Sequence, residues 1–142
     1  MSRQRTYAIL AHSCVLKAKN APEVSSESYR THCMTSPGLL QKAGAVQALA
    51  FLQSREEGSD AGRYYMSSLA QVLFGDPTAQ DDKDRSEELF KMARECSLPQ
   101  YLALSRKLLD ASAWLRRFAQ IEIPAPSNDK DNNPNKEERR PS

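Results

Sequence analysis

Between Ser97 and Ile121 the apolar residues recur every three or four positions, and no other feature of the sequence constrains the fold as strongly. That spacing places them along one face of a single long helix. Ser97 is a favourable N-cap, and Pro99 suits a first helical turn. A helix with one apolar face buries it against neighbouring helices, so we expect a bundle. The predicted core stripe consists of Tyr101, Leu104, Leu108, Ala111, Leu115 and Phe118.

The rest of the sequence divides into shorter predicted helices. No run alternates apolar and polar residues for long enough to indicate a strand, and residues that favour helix are abundant. Segment 45–53 is apolar almost all round, so we expect it to be the central buried helix. The predicted fold is all-α, a compact bundle of about five to six helices. Helices are expected at 5–20, 26–44 with a kink or restart at Pro37, 45–53, 62–74, 85–96 and 97–121, with polar loops at 56–62 and 78–84.

The last twenty residues differ sharply in composition from the rest. They hold four prolines, four asparagines and eight charges of both signs. Such a segment buries too little apolar surface to offset the entropy lost on ordering. We therefore predict a single helical domain at 1–122 and a disordered polar tail at 123–142.

Composition argues against membrane and secreted proteins. No stretch reaches the roughly eighteen consecutive apolar residues that a membrane helix needs. We see no secretory signal at the N-terminus, and the three cysteines form no close pair. The simplest prediction is a cytoplasmic chain with reduced thiols, not bound to a membrane.

The histidines and cysteines offer a poor metal site. His12 and Cys14 lie two residues apart, and His32 and Cys33 are adjacent. Residues at these spacings point to different sides of a helix, whereas shared ligation favours positions four apart. We expect two small, buried cysteines beside solvent-facing histidines, and no bound metal.

Other signatures of catalysis are weak as well. The sequence has no glycine-rich phosphate loop. Adjacent acidic residues occur at 56–57, 81–82 and 87–88, all in polar surroundings typical of solvated loops and helix starts. The residues therefore predict neither an enzyme nor a cofactor.

Charge is unevenly distributed along a chain whose net charge is only +2. Residues 1–50 carry six Lys/Arg and two acids, residues 51–100 carry six and ten, and residues 101–122 carry four and two. Long cationic side chains at the basic ends would reach phosphate oxygens without reading sequence; ordinary solvated helix faces are the alternative. The candidate phosphate contacts are Lys17, Lys19, Lys42, Arg106, Arg116 and Arg117.

Two pairs of apolar residues lie off the predicted core-facing stripes of their helices. Ile9 and Leu16 lie seven residues apart on the first helix, and Leu102 and Leu109 have the same spacing on the last. Such pairs mark either contacts with other proteins or a wider core in a multi-helix bundle. From the residues alone, the chain is a small helical binding or assembly module.

Several short segments, taken together, indicate more than a general helical module. Tyr29, Pro37 and Leu39-Leu40 precede the run GAVQALAFL at 44–52, and YLALS at 101–105 precedes WLRRFA at 114–119. In this order and spacing they resemble the small helical subunit of the type III-B CRISPR effector, the Cmr RAMP-module complex. The resemblance covers about residues 3–122. Ala45 stands where that family usually has leucine, and the tail is longer than the family needs.

The resemblance implies a non-catalytic structural subunit of an RNA-guided effector in antiviral defence. Copies would stack head to tail as the minor filament beside the backbone subunits, which hold the guide RNA and cleave the target. The large subunit would carry nucleotide-cyclase and DNA-cleaving activities, and target RNA paired with guide would lie along the filament. Of the candidate phosphate contacts, only Arg116 and Arg117 sit on a family motif.

Head-to-tail contacts need two different surfaces on each subunit. We infer that Ile9 and Leu16 form one and that Leu102 and Leu109 form the other; the family resemblance does not supply this pairing. The alternative function is a helical protein–protein adaptor with no role in RNA binding.

Overall fold

The computed structural model describes residues 2–54, 60–75 and 82–125. Over these residues the chain forms six α-helices and no strand, which confirms the all-α prediction. The helices are α1 (Arg3–Asn20), α2 (Ser26–Ala43), α3 (Ala45–Ser54), α4 (Asp60–Phe74), α5 (Asp82–Glu95) and α6 (Leu98–Glu122).

Serine side chains cap the N-termini of three of the helices. Ser2 and Ser25 each accept a hydrogen bond from the backbone N–H three residues later. Ser97 and Gln100 form a reciprocal capping box at the start of α6, with Pro99 in the first turn, as predicted. These bonds satisfy N–H groups that have no partner inside the helix.

The centre of the bundle is α4, which packs against all five other helices. From Tyr65 to Val72 every residue of α4 is buried. Helices α1, α2 and α6 also pack against one another, while α3 packs against α2 and α5. The predicted core faces of α1 and α6 turn inward: Tyr7, Leu10, Ala11, Cys14 and Ala18 are buried, as are Leu104, Leu108, Ala111 and Leu115.

The prediction that segment 45–53 is the central helix is wrong. Ala48, Leu49 and Leu52 of α3 are buried, but Phe51 is 48% exposed. The central helix is instead α4, in which Ser67, Ser68 and Gln71 are buried polar residues. Hydrogen bonds let these side chains be buried: Gln71 donates to Ser67 at 2.9 Å, and Ser68 donates to the carbonyl of Tyr64 at 2.8 Å.

Several predicted helix boundaries also shift. Pro37 does not restart α2, which continues through it to Ala43, and Cys33 and Leu40 are buried in the core on either side of the proline. Helix α5 begins at Asp82, inside the predicted acidic loop, and α4 begins at Asp60, before Gly62. The remaining parts of the two predicted loops, 56–59 and 78–81, lie outside the described residues.

The folded part continues to Ile123, the first residue of the predicted tail. Ile123 is buried, and its carbonyl accepts a 3.0 Å hydrogen bond from Arg30 Nε, which fastens the end of α6 to the start of α2. Residues 126–142 of the predicted tail lie outside the described residues. Over the described part of the chain, no helix is long and apolar enough to cross a membrane.

Candidate nucleic-acid interface

The first and last helices lie side by side, and their side chains interlock along a seam. Arg3 pairs with Asp110 at 2.9 Å, and His12 Nε2 lies 2.9 Å from Glu122. Residue numbers rise together on the two sides, so α1 and α6 run in the same direction. Although α1 and α6 lie at opposite ends of the sequence, they form one surface, which we call the α1–α6 face.

Aromatic rings occupy the middle of this seam. Trp114 donates a 2.6 Å hydrogen bond to Gln4 and stacks on Phe118, with ring centroids 5.9 Å apart. Phe118 in turn packs against the His12 ring at 4.7 Å, and the Arg117 guanidinium lies 5.7 Å from the centroid of the Trp114 ring. Trp114, Arg117 and Phe118 all belong to the segment WLRRFA, so this segment holds α6 against α1.

Helices α1 and α6 both contain more basic than acidic residues. Helix α1 contains four Lys/Arg and no acid, and α6 contains four Lys/Arg and two acids. Both acids are held in the seam: Asp110 by Arg3, and Glu122 by His12 and by Lys19 at 3.8 Å. The hydrogen bond from His12, together with the charge of Lys19, lowers the pKa of Glu122. Asp110 and Glu122 therefore neutralise cations within the seam. The Lys and Arg side chains that point away from the seam keep their charge exposed to solvent.

Five of the six predicted phosphate contacts stand on these two helices. Lys17 and Lys19 lie near the end of α1, and Arg106, Arg116 and Arg117 lie on α6. All five side chains are exposed. Arg106 and Arg117 are eleven residues apart, about three turns, so both point outward from the same line of α6.

The remaining predicted contact lies elsewhere. Lys42 is exposed on the last turn of α2, where α2 meets the N-terminal half of α6 through Gly44 and Tyr101. Lys17 points from α1 toward α4 and lines a polar groove of about 290 Å³ with Asn20, Tyr64 and Gln71. The structure thus places Lys19, Arg106 and Arg117 on the α1–α6 face, with Lys17 at its edge. Arg116 lies on the line of α6 that carries Leu102 and Leu109, and Lys42 lies apart.

Sequence reasoning missed the seam partners Arg3, Asp110 and Glu122. Their pairs join residues more than one hundred positions apart, so no local spacing indicates them. The only local signal was the absence of acids from the first helix, a pattern that leaves its cations available to acids on another element.

The four predicted subunit-contact residues are exposed to different degrees. Ile9 is 53% exposed and Leu102 is 58% exposed, while Leu16 is partly buried. Leu109 is also partly buried and packs against the core. The interpretation as a wider core therefore fits Leu109, whereas Ile9 and Leu102 face solvent.

The histidines and cysteines occupy separate environments. Cys14 and Cys33 are buried, as predicted, and burial raises the pKa of the Cys33 thiol, which keeps it protonated. The expectation that both histidines face solvent is wrong: His32 is buried beside Tyr65, and His12 is half-exposed against Phe118. In the described part of the chain, no three His, Cys, Asp or Glu side chains come together as a metal site would require.

A further surface groove lies outside the α1–α6 face. It has a volume of about 680 Å³ and is bounded by the end of α4, by α5 and by the N-terminal half of α6. Its floor contains Leu73, Phe74 and Leu104, and charged side chains line its rim. Such an open, mainly apolar groove is typical of a protein contact surface rather than of a catalytic pocket.

Comparisons with known proteins agree with this geometry. The model of the CRISPR-associated protein family Cas_Cmr5 matches residues 3–122. The chain is 38% identical over 122 residues to a Thermus thermophilus protein described as CRISPR system Cmr subunit Cmr5, covering 86% of this chain and 96% of that protein. It is also similar to the crystal structure of a CRISPR-associated Cmr5 family protein from the same organism, with a TM-score of 0.74, 36% identity, and coverage of 87% and 98% of the two chains.

Proposed function

Since this chain belongs to the Cas_Cmr5 family of CRISPR-associated proteins, we propose that it is a non-catalytic structural subunit of a Cmr CRISPR effector complex, in which its copies stack and hold target RNA paired to guide RNA. Family membership makes the chain a Cmr subunit with a role in CRISPR defence. Its copies would form the minor filament, beside the backbone and large subunits, in the cytoplasm. No cofactor enters this function.

One observation carries the RNA-binding part of the proposal: α1 and α6 together contain eight Lys/Arg and two acids, and both acids are tied into the seam. Cations that have no acid competing for them attract phosphates, and the released counterions provide binding free energy. By contrast, α5 carries five acids and four Lys/Arg, and it lies away from α1. The duplex backbone would therefore lie across α1 and α6 rather than across α5.

The contacts would be to phosphates and not to bases. Arg106 and Arg117 project from the outward line of α6, while the Trp114 ring is engaged by Gln4 and Arg117. A groove of about 220 Å³ lies on this face, lined by Gln4, Asp110, Ala113, Trp114 and Arg117, but Gln4 and Asp110 are already bonded to Trp114 and Arg3. Such a surface supports binding that is independent of sequence, as expected where the guide supplies the specificity.

The proposal also includes stacking between copies of the chain. Ile9 on α1 and Leu102 on α6 are exposed apolar residues, and they are the proposed contact residues. A heterologous contact requires two different surfaces, and in this proposal Ile9 belongs to one and Leu102 to the other. The partly buried Leu16 and Leu109 would contribute their remaining surface.

Salt-dependent capture of target RNA by the assembled complex tests the phosphate contacts. Arg117→Ala, combined with Arg116→Ala, should weaken capture and reduce the slope of log affinity against log salt by about one per lost contact. Arg94→Ala on α5 is the matched control, because Arg94 is exposed but lies over the Phe90 ring away from this face. Capture by the double variant that matches Arg94→Ala at every salt concentration would favour the adaptor without an RNA role.

A further inference from the structure

The small groove on the α1–α6 face carries polar atoms that the phosphate contacts do not use. It has a volume of about 220 Å³ and lies between the start of α1 and the middle of α6. Its lining consists of Gln4, Asp110, Ala113, Trp114 and Arg117. Ala113 is exposed, and its single methyl group leaves space that a larger side chain would fill. The groove therefore admits a small chemical group beside Arg117.

Gln4 and Asp110 each bond only one of their polar atoms inside the protein. The indole N–H of Trp114 can only donate, so the Gln4 atom that it meets at 2.6 Å is the amide oxygen, and the amide NH₂ is left over. Asp110 accepts from Arg3 at 2.9 Å through Oδ2. Among the residues that the structure describes, nothing bonds Asp110 Oδ1 or Gln4 Nε2. The groove thus offers a ligand one acceptor and one donor group.

Two arginines of α6 stand on either side of this acceptor. Arg106 precedes Asp110 by four residues and Arg117 follows it by seven, so all three lie on one side of the helix. Neither arginine forms an ion pair with a described residue. They are about 16 Å apart along the helix axis. A strand whose phosphates contact both arginines passes over the groove, and a sugar of that strand lies nearest to it.

A ribose 2′-hydroxyl matches the groove better than a phosphate or a base does. The hydroxyl both donates and accepts, so it can donate to Asp110 Oδ1 and accept from Gln4 Nε2. A phosphate would be repelled by the Asp110 carboxylate. A base would need a free aromatic surface, but the Trp114 ring is stacked on Phe118 and approached by Arg117.

Resting on the RNA binding of the proposed function, we propose that this groove is a ribose site, in which Asp110 and Gln4 hydrogen-bond a 2′-hydroxyl of the strand held by Arg106 and Arg117. A 2′-deoxy strand would leave Asp110 Oδ1 facing a C–H group, and a carboxylate oxygen shielded from water without a donor costs binding free energy. The site therefore favours RNA over DNA in a duplex of any sequence. Target and guide strands present the same hydroxyl.

The test separates the hydroxyl from the shape of the duplex. Complexes are reconstituted with a synthetic guide, and their affinity is measured for target strands that carry 2′-hydroxyl or 2′-fluoro groups. A 2′-fluoro group keeps the A-form shape but cannot donate a hydrogen bond. A second arm places the 2′-fluoro groups in the guide, so that the two arms distinguish the strands.

Two variants remove the site in different ways. Asp110→Ala removes the acceptor, and Ala113→Leu fills the groove at an exposed position while keeping every polar group. Glu122→Ala is the matched control, because it removes the other acid of the seam, twelve residues farther along α6. Asp110→Ala and Glu122→Ala change the net charge equally, so a difference between them does not arise from charge alone.

We expect the preference for the 2′-hydroxyl strand to fall by about threefold to tenfold in both Asp110→Ala and Ala113→Leu, and to stay at the wild-type level in Glu122→Ala. The arm in which it falls identifies the strand that the groove holds. A preference that either variant leaves unchanged in both arms, while Arg106→Ala still weakens RNA capture, would overturn the ribose site alone. Capture that the variants of the phosphate contacts also leave unchanged would overturn the RNA binding on which this inference rests.

Discussion

The hydroxyl of Tyr101 lies 3.2 Å from the position that a Cβ on Gly44 would occupy, and it accepts a 3.4 Å hydrogen bond from the backbone N–H of Val46. Gly44 ends α2 with a φ of 86°, a conformation that other residues rarely adopt. The glycine therefore provides both the turn into α3 and the space in which α6 approaches. These two residues come from separate segments of the family resemblance, and they join three helices at one point.

Gly44→Ala should lower the free energy of unfolding by about 1–2 kcal/mol, since alanine is strained at this φ and its methyl group meets Tyr101. Gly38→Ala is the matched control: Gly38 lies inside α2 with no atom within 4 Å of an added Cβ. That substitution should stabilise the protein by about 0.5–1 kcal/mol. Urea denaturation measures both, and equal effects on stability would show that the turn at Gly44 imposes no special demand.

Tyr29 and Tyr65 are both fully buried, but only Tyr29 is well bonded. The Tyr29 hydroxyl donates to Ser68 Oγ at 2.8 Å, whereas the Tyr65 hydroxyl, beside Ser36, has no hydrogen bond of good geometry among the described residues. Tyr29→Phe should cost about 1 kcal/mol, and Tyr65→Phe should be neutral or stabilising. Thermal denaturation of the two variants compares them, and a Tyr65→Phe loss as large as that of Tyr29→Phe would contradict the assignment.

Stability should fall at alkaline pH because of the same buried cluster. Burial raises the pKa of Tyr29, Tyr65 and Cys33 in the folded protein above their ordinary values of 10.0 for tyrosine and 9.0 for cysteine. The unfolded chain thus releases protons above about pH 9 while the folded protein keeps them, so the free energy of unfolding decreases as pH rises. Each group contributes a slope of up to about 1.4 kcal/mol per pH unit.

Urea titrations from pH 7 to pH 11 measure this effect. Stability should be nearly constant with respect to these three groups up to about pH 9 and should then decline. Tyr65→Phe should decline less steeply than the wild type above pH 10, because one group is removed. Identical slopes for the two proteins would mean that Tyr65 titrates normally in the folded state.

Core substitutions distinguish α4, the central helix of the structure, from α3, which the sequence predicted to be central. Leu69 of α4 is fully buried, so Leu69→Ala should destabilise by about 2–5 kcal/mol. Phe51 of α3 is half-exposed, so Phe51→Ala should cost only about 1 kcal/mol despite removing more atoms. Chemical denaturation measures both variants. A larger loss of unfolding free energy for Phe51→Ala than for Leu69→Ala would contradict the central position of α4 and favour α3 instead.

Much of the fold follows from local patterns. The inward faces of α1 and α6, the Ser97 cap, and the ends of α2 and α4 at Gly44 and Gly75 were all predicted from spacing and residue type, and the structure confirms them. The central helix was not predictable in this way. Buried Ser67, Ser68 and Gln71 look like solvent-facing residues until their hydrogen-bond partners are known, so α3, which is apolar almost all round, was the better candidate.

The candidate site was predictable only in part. Basic residues at the two ends of the folded sequence indicated a cationic surface, and the structure brings α1 and α6 together as one face. No sequence pattern could show that Asp110 and Glu122 are neutralised by ion pairs within that face, because their partners are more than one hundred residues away. The separate position of Lys42 and the burial of Leu109 against the core likewise depend on tertiary packing.

The central claim is that the chain works inside an RNA-guided effector, and the most direct test is to purify a tagged copy from its native cells and sequence the RNA that accompanies it. We predict short RNAs that share a repeat-derived 5′ tag, together with the large CRISPR subunits. Clean protein without such RNA, from cells shown to express the CRISPR locus, would contradict this claim and leave the helical adaptor as the better explanation.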